Sequence, residues 1–280
     1  MSILITGGTG SFGQAFARRA LAEGVERVCI FSRGEHTQAA MRGALEEHPN
    51  LRWLIGDVRD RDRLRHAMRS CEVVVHAAAL KRIEVGHYNP IEITKTNVGG
   101  AINVIEAAHD AGVKKVVALS SDKAFQPISA YGQSKALAES LFLAANYARG
   151  QHGPCFTATR YGNIFNSAGS VLPTWRRMRA EGRKAVPITD PECTRFFMTM
   201  RQAVDLVWNT LLTMEGGELV IPEDLPAYRL GDLAEALEVD TEVIGLPPHE
   251  KRHECMRDGL CSNNARKITV AELRGEIERA

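Results

Sequence analysis

Long apolar runs are missing from this 280-residue sequence. The stretch from Val73 to Leu80 is interrupted by His76 and falls far short of the roughly 20 residues that a membrane helix needs. Charge of one sign is missing too. Thirty-five Lys and Arg against 34 Asp and Glu leave a formal charge of +1, so nothing calls for a nucleic acid or an anionic membrane as partner. The six cysteines, at 29, 71, 155, 193, 255 and 261, include no Cys-x-x-Cys pair, and they read as reduced, structural thiols. The run His249 to Cys255 lacks a complete tetrahedral ligand set at zinc spacing, so no metal is expected. No signal peptide precedes the strand-like Ile3-Leu4-Ile5, which predicts a cytoplasmic protein. There is no internal repeat or low-complexity tract. A chain with 44% hydrophobic and 25% charged residues is ordinary for a globular protein with a sizeable core.

What the sequence does hold is an alternation of short apolar runs and helical stretches. Ile3-Leu4-Ile5-Thr6 reads as a buried strand, the heptad from Gly7 to Gly13 follows at once, and Gln14 to Glu23 has helical spacing. Strand, glycine turn and helix at the head of a βαβ unit let backbone approach a pyrophosphate and set it at the positive helix end. Gly7, Thr9, Gly10, Ser11, Phe12 and Gly13 are therefore expected to hold a dinucleotide. The second strand, Arg27 to Phe31, ends in Ser32-Arg33, where a ribose-binding acid is usual for NAD. A hydroxyl and a guanidinium suit a 2′-phosphate, so NADP is expected, with Glu35 close enough to keep NAD open.

After the third strand, Leu51 to Ile55, Asp57 and Val58 fall where the adenine would lie. Arg59 to Arg69 alternates charge and reads as a solvated helix face. Val73 to Ala79 is the fourth strand; Ala77, Ala78 and Ala79 let backbone lie against a cofactor, and Lys81 is free to reach a phosphate or sugar. His76 reads as a packed strand histidine. Asn89-Pro90 opens a helix through Ala111 with Gly112 as its cap, and Asn97 inside it must be hydrogen-bonded, most simply to adjacent backbone. Cys155 to Arg160 is the sixth strand, so Tyr161, Asn163 and Ile164 should line the pocket. From about Phe165 the alternation breaks up among prolines, with a helix at Trp175 to Lys184. The expected fold is α/β: a Rossmann-like doubly wound parallel sheet over residues 1–165, and over 166–280 a small substrate-binding lobe with some segments returning to the core.

The fifth strand, Val116 to Leu119, runs into Ser120-Ser121-Asp122-Lys123, with Tyr131 and Lys135 seven residues on. Polar side chains at a strand's carboxyl end lie where α/β sheets bind ligands. Four residues apart on a helix, Tyr131 and Lys135 share a face. A tyrosine titrates near 10, and a neighbouring ammonium is what it needs to act as a base near neutrality. Arg195, a single arginine among aromatic residues, suits a diphosphate.

Taken together, Thr6 to Gly13, Phe31-Ser32-Arg33, Gly56 to Asp60, His76 to Lys81, Ser121 to Ala124, Tyr131-x-x-x-Lys135 and Arg160 to Asn163 resemble the extended short-chain dehydrogenase/reductases. More narrowly they resemble the inverting UDP-N-acetylglucosamine 4,6-dehydratases of pseudaminic-acid and related surface-glycan pathways, and the similarity runs to about residue 256. The Asp122-Lys123 pair discriminates, since dTDP-glucose dehydratases carry Asp-Glu there, and Tyr131 favours the inverting branch. The resemblance implies a tightly held NADP, a UDP-sugar substrate and a homo-oligomer. It assigns Tyr131, assisted by Lys135, to the C4 hydroxyl proton, a neutral Lys123 to the C5 proton, a protonated Asp122 to the departing C6 hydroxyl and Ser121 to the ketone. It also places Lys81, Asn163, Ser167, Ser170, Val171, Thr189, Arg195 and Glu250 at the substrate. Two family arginines are missing, at Ala168 and Pro247, and Gly34 replaces the usual acid after Ser32-Arg33. A retaining dehydratase, a UDP-sugar 4-epimerase and a non-catalytic NADP-binding regulator are the alternatives.

Overall fold

The computed structural model describes residues 1–45 and 48–279; the final residue of the expected lobe lies outside them. Strand β1 (Ser2–Thr6), helix α1 (Ser11–Ala22), β2 (Arg27–Ser32), α2 (Glu35–Ala44), β3 (Leu51–Ile55), α3 (Arg61–Met68) and β4 (Val73–His76) make the first half of the main unit. Short helices α4 (Ile83–Tyr88) and α5 (Pro90–Ile93) lead through a π-helical segment, Thr94–Gly99, into α6 (Gly100–Ala111), then β5 (Lys115–Leu119), α7 (Ala130–Ala148) and β6 (Cys155–Thr159). The remainder comprises α8 (Val171–Ala180), β7 (Ala185–Ile188), β8 (Thr194–Phe196), α9 (Met200–Thr213), β9 (Leu219–Val220), β10 (Ala227–Arg229), α10 (Leu230–Ala236), β11 (Asp240–Val243), β12 (Cys255–Arg257), β13 (Leu260–Cys261) and α11 (Val270–Arg279).

The seven-stranded sheet has the order β3-β2-β1-β4-β5-β6-β9, and its pairings are parallel. Its central strands are near-continuous runs of Ile, Leu and Val because both faces are covered by helices. Phe16, Val28, Val117 and Trp208 belong to the core on one face, and Phe31, Leu64, Val104 and Phe156 to that on the other. The order of strand addition reverses between β1 and β4, so the crevice at their carboxyl ends is the expected ligand site of such a sheet.

Residues after 165 divide in two. Strand β9 completes the large sheet beside β6, and Trp208 of α9 stacks near Phe16 of α1, ring centroids 5.8 Å apart. The other segments form two-stranded pairs, β10 with β8, β11 with β7 and β12 with β13; a third core that includes Trp175, Phe197 and Leu233 lies beside the first two pairs, while Met256 of β12 joins the first core. Among the described residues no helix is long and apolar enough to cross a membrane.

Several boundaries differ from expectation. The helix expected at Trp175 to Lys184 spans Val171–Ala180, because Gly182 at φ +83° turns the chain out before β7. The helix opened by Pro90 is interrupted by the π-helical segment that holds Asn97, while Gly112 ends it at φ 71°, as a left-handed cap should. The cysteines require a correction: Cys255 and Cys261 form a disulfide, because the β12–β13 hairpin brings these two residues opposite each other. The other four remain thiols.

Candidate active site

One deep cavity of about 1090 Å³ lies over the carboxyl ends of the large sheet and runs under the small lobe. The glycine turn forms its floor at β1. Gly7 takes φ +66°, and a Cβ there would lie 2.9 Å from the backbone of Ala78. A Cβ on Gly13 would come within 2.6 Å of the Gly7 carbonyl. Only bare backbone fits this crossing, which brings Ala77, Ala78 and Ala79 to the same wall. Gly10 caps α1 without a side chain, so the first N–H groups of that helix, on Ser11, Phe12 and Gly13, lack a side-chain cap where the cavity passes them. A phosphate is the natural partner of such a terminus. Thr9 lines the same end.

Farther out, Ser32, Arg33, Asp57 and Val58 line one limb. Arg33 is 55% exposed, with Nη1 3.8 Å from Asp57 Oδ2. Ser32 Oγ accepts a 3.0 Å bond from Gln38. Asp57 accepts from the backbone and guanidinium of Arg59 at 2.9 and 2.7 Å; burial would raise its carboxyl, but these bonds hold it below the ordinary range. Buried Ser120 Oγ and Ser170 Oγ, both from residues on the wall, lack hydrogen-bond partners. The bare turn, the uncapped helix start and these orphaned hydroxyls fit a dinucleotide lying across the switch point.

At the other limb stand the residues that follow β5. Lys135, projecting from α7, donates to the carbonyl of Leu119, the last residue of β5. Burial lowers its ammonium to about 8. Tyr131 lies one helical turn earlier, and burial raises its phenol, with Lys123 and the Ser121 hydroxyl pulling the other way. The strongest opposing charge on the phenol is therefore Lys123, a residue outside the Tyr-x-x-x-Lys pattern.

Lys123 Nζ lies 3.2 Å from each of three acceptors: Asp122 Oδ1, Asn163 Oδ1 and Glu254 Oε1. Burial alone would lower it, but Asp122 and Glu254 outweigh burial and hold the ammonium well above its ordinary value. Asp122 is fully buried and raised by that burial. Its Oδ2 has no partner and would stand 3.4 Å from a Cβ on Gly162. Glu254, 2% exposed, is held ionised against burial by Lys123, Arg195 and Lys251.

Every residue expected from sequence to act or bind lies on the wall of this cavity except Asp122, which is sealed behind it. Ser121, Lys123, Tyr131 and Lys135 meet Lys81, Tyr161, Asn163 and Ile164 around the centre, while Ser167, Ser170, Val171, Thr189, Arg195 and Glu250 line the lobe side. Arg195 is 5% exposed, and its guanidinium is engaged by Glu250 and by the carbonyls of Thr194 and Arg252. Among the cavity residues that sequence reasoning did not assign are Glu254 and His249; the ring of His249 is tilted against that of His87, centroids 3.9 Å apart. Glu254 closes the motif Glu250-Lys251-x-His253-Glu254, and a carboxylate directly before the apolar pair Cys255-Met256 is the signal that could have found it. His76 is structural, as expected: Nδ1 meets Thr6 Oγ1 at 2.8 Å.

A dinucleotide-shaped cleft at the β1–β4 switch point, opening onto Ser121, Tyr131 and Lys135 under a small lobe, defines an enzyme of the extended short-chain dehydrogenase/reductase type. The family of polysaccharide biosynthesis proteins matches residues 3–272, and the chain belongs to it. It is 44% identical over 259 residues to the inverting UDP-N-acetylglucosamine 4,6-dehydratase of Campylobacter jejuni subsp. jejuni serotype O:2, covering 91% of this chain and 77% of that one. It is 40% identical over 265 residues to the UDP-glucose 4-epimerase of Rickettsia conorii, with 91% and 77% covered. The crystal structure of Pen from Bacillus thuringiensis superposes with a TM-score of 0.94 at 34% identity, covering 100% of this chain and 98% of that one.

Proposed function

We propose that this protein is an NADP-dependent, inverting UDP-N-acetylglucosamine 4,6-dehydratase, yielding a UDP-4-keto-6-deoxy-L-arabino-hexosamine for surface-glycan biosynthesis. The observation that carries the reading is Lys123, side by side with Ser121 and Tyr131 on the cavity wall, in a chain 44% identical to a dehydratase of that name. A nucleotide-sugar substrate suits a cytoplasmic site of action and needs no membrane or nucleic acid.

The cleft from Gly7 to Val58 is where NADP would lie, with Arg33 and Ser32 at the 2′-phosphate and Lys135 toward the ribose. A nicotinamide cofactor held by these residues would supply reversible hydride transfer, between C4 and C6 of the sugar. Tyr131 takes the C4 hydroxyl proton. Its phenol is raised in the free protein by burial, so the ammonium of Lys123 and the hydroxyl of Ser121 are what draw it toward phenolate. Ser121 then donates to the C4 ketone, which acidifies the C5 hydrogen and permits water to leave across C5 and C6. Elimination needs one group to accept the C5 proton and one to give a proton to the C6 oxygen, and the polar cluster around Lys123 supplies both. Thr189, Ser167, Ser170 and Val171 would contact the substrate under the lobe. Lys81 and Arg195, cations on the cavity wall, would serve a diphosphate.

The test is incubation with UDP-N-acetylglucosamine in deuterated water, followed by proton NMR. A 6-deoxy methyl signal, deuterium at C5 and L-arabino couplings are expected. A C4 epimer with neither methyl nor C5 label would establish the second reading, a 4-epimerase, which the similarity to the Rickettsia conorii protein favours. D-xylo couplings with C5 retained would mean a retaining dehydratase.

A further inference from the structure

Resting on the dehydratase reading and its Tyr131–Lys135 pair, we infer that Glu139 is a positioning residue: it is the anionic counterpart of Lys135, set for that task by Arg160. Three observations carry this. Glu139 follows Lys135 by four positions on α7, so the two share a face of the helix. Both are buried, Lys135 being 8% exposed and Glu139 7%. Lys135 lines the cavity whereas Glu139 and Arg160 do not, so this carboxylate can act on the site only through another group.

Arg160, at the end of β6 and itself buried, fixes the carboxylate with two bonds. Its Nε donates to Glu139 Oε2 at 3.0 Å and its Nη2 donates to Oε1. The remaining Nη1 donates to the carbonyl of Met256 on β12. The guanidinium carbon also lies 5.8 Å from the ring centroid of Phe125, the residue just past the turn that carries Lys123. One guanidinium thus joins α7, β6, the β12–β13 hairpin and the turn after β5. Burying two charges is costly, and an apolar pair of similar volume often holds a fold as well or better. Stability alone gives no reason for ions here, whereas a lysine that must stay charged out of water does.

Lys135 is such a lysine. Its Nζ donates to the Leu119 carbonyl, a neutral partner. Around it stand Tyr131 and Glu139 from its own helix, His76 from β4 and, beyond Glu139, Arg160. Burial lowers the ammonium, Glu139 raises it, and it comes to rest at about 8. His76 supplies no anion, since burial and the Lys135 charge keep its imidazole neutral. Without the Glu139 charge the proton leaves at lower pH, and Lys135 turns neutral in the range where Tyr131 needs a cation.

The experiment follows 6-deoxy product from UDP-N-acetylglucosamine across the pH range for wild type, E139Q, E139D and the double variant E139L/R160M. The wild-type rate should fall on the alkaline side with a midpoint at about 8. For E139Q the ratio of variant to wild-type rate should stay near one at about pH 6, where Lys135 is charged in both. It should drop about 5-fold by pH 8, as a midpoint lowered by roughly one unit requires. E139D keeps the charge and should restore most of the alkaline rate. The double variant replaces both ions by apolar side chains, so it guards against an E139Q protein that fails to fold around an unpaired Arg160, and it should show the same displaced limb. An alkaline midpoint at the wild-type value in the folded variants overturns the proposal. So does a loss of rate equally deep at every pH, the mark of a purely structural role. A wild-type protein that forms no 6-deoxy product overturns the dehydratase reading itself, and the proposal with it.

Discussion

Asn97 clasps both backbone groups of Leu80: Leu80 N donates to its Oδ1 at 2.8 Å, and its Nδ2 donates to Leu80 O at 3.0 Å. The same amide nitrogen reaches Ser134 Oγ on α7 at 2.9 Å. One buried side chain thus fixes the segment after β4 against the helix that bears Tyr131 and Lys135, and the π-helical segment is where it sits. N97A removes the partner of these part-buried backbone groups, which costs about 1 to 2 kcal/mol. Thermal melting should show the loss, and cofactor affinity should fall with it, since Ala77 to Ala79 precede the clasped residue.

Arg33 should decide between the two nicotinamide dinucleotides. Its neighbour Asp57 is 3.8 Å away and would repel a 2′-phosphate unless the guanidinium stands between them. R33A is therefore expected to weaken NADP by 10-fold or more, roughly the worth of one charge-assisted contact, and NAD by much less. Titration of both cofactors against the purified variant measures this; equal losses would show that Arg33 does not meet the 2′-phosphate.

The parts of the molecule with local rules were legible in the sequence. Ile3-Leu4-Ile5 before a glycine turn, Gly112 after α6 and the polar groups at the end of β5 each announce themselves within a few residues. What remained hidden depends on long-range contact. Glu254 is 131 positions from Lys123, and only the fold shows that it, not the adjacent Asp122, shares the cavity wall. Helical spacing makes Lys135 readable as the cation serving Tyr131, whereas the path that brings Lys123 to the same phenol is set by a single short turn, Asp122–Ala124. The disulfide was missed because Cys255 and Cys261 become neighbours only when the hairpin closes.

His76 should shape the acid limb of stability. Burial lowers its imidazole from 6.5 to about 3, so the folded protein keeps it neutral where the unfolded chain is protonated. Its contribution is fully present above about pH 6.5 and is lost as pH falls toward 3. Near pH 5 this group adds a slope of about 1.4 kcal/mol per pH unit to the unfolding free energy. H76Q should be less stable at pH 7, having lost the Thr6 contact and the packing on Phe142. It should also show a flatter dependence between pH 6.5 and 5, and urea titrations at several pH values would test both; an unchanged slope would count against a neutral buried His76.

The Cys255–Cys261 bond closes a loop with a sequence separation of 6, so its effect on the unfolded chain is modest, about 2 kcal/mol. C261S should lose that amount by thermal or urea unfolding under oxidising conditions. Dithiothreitol should lower wild-type stability by the same amount and leave C261S unaffected.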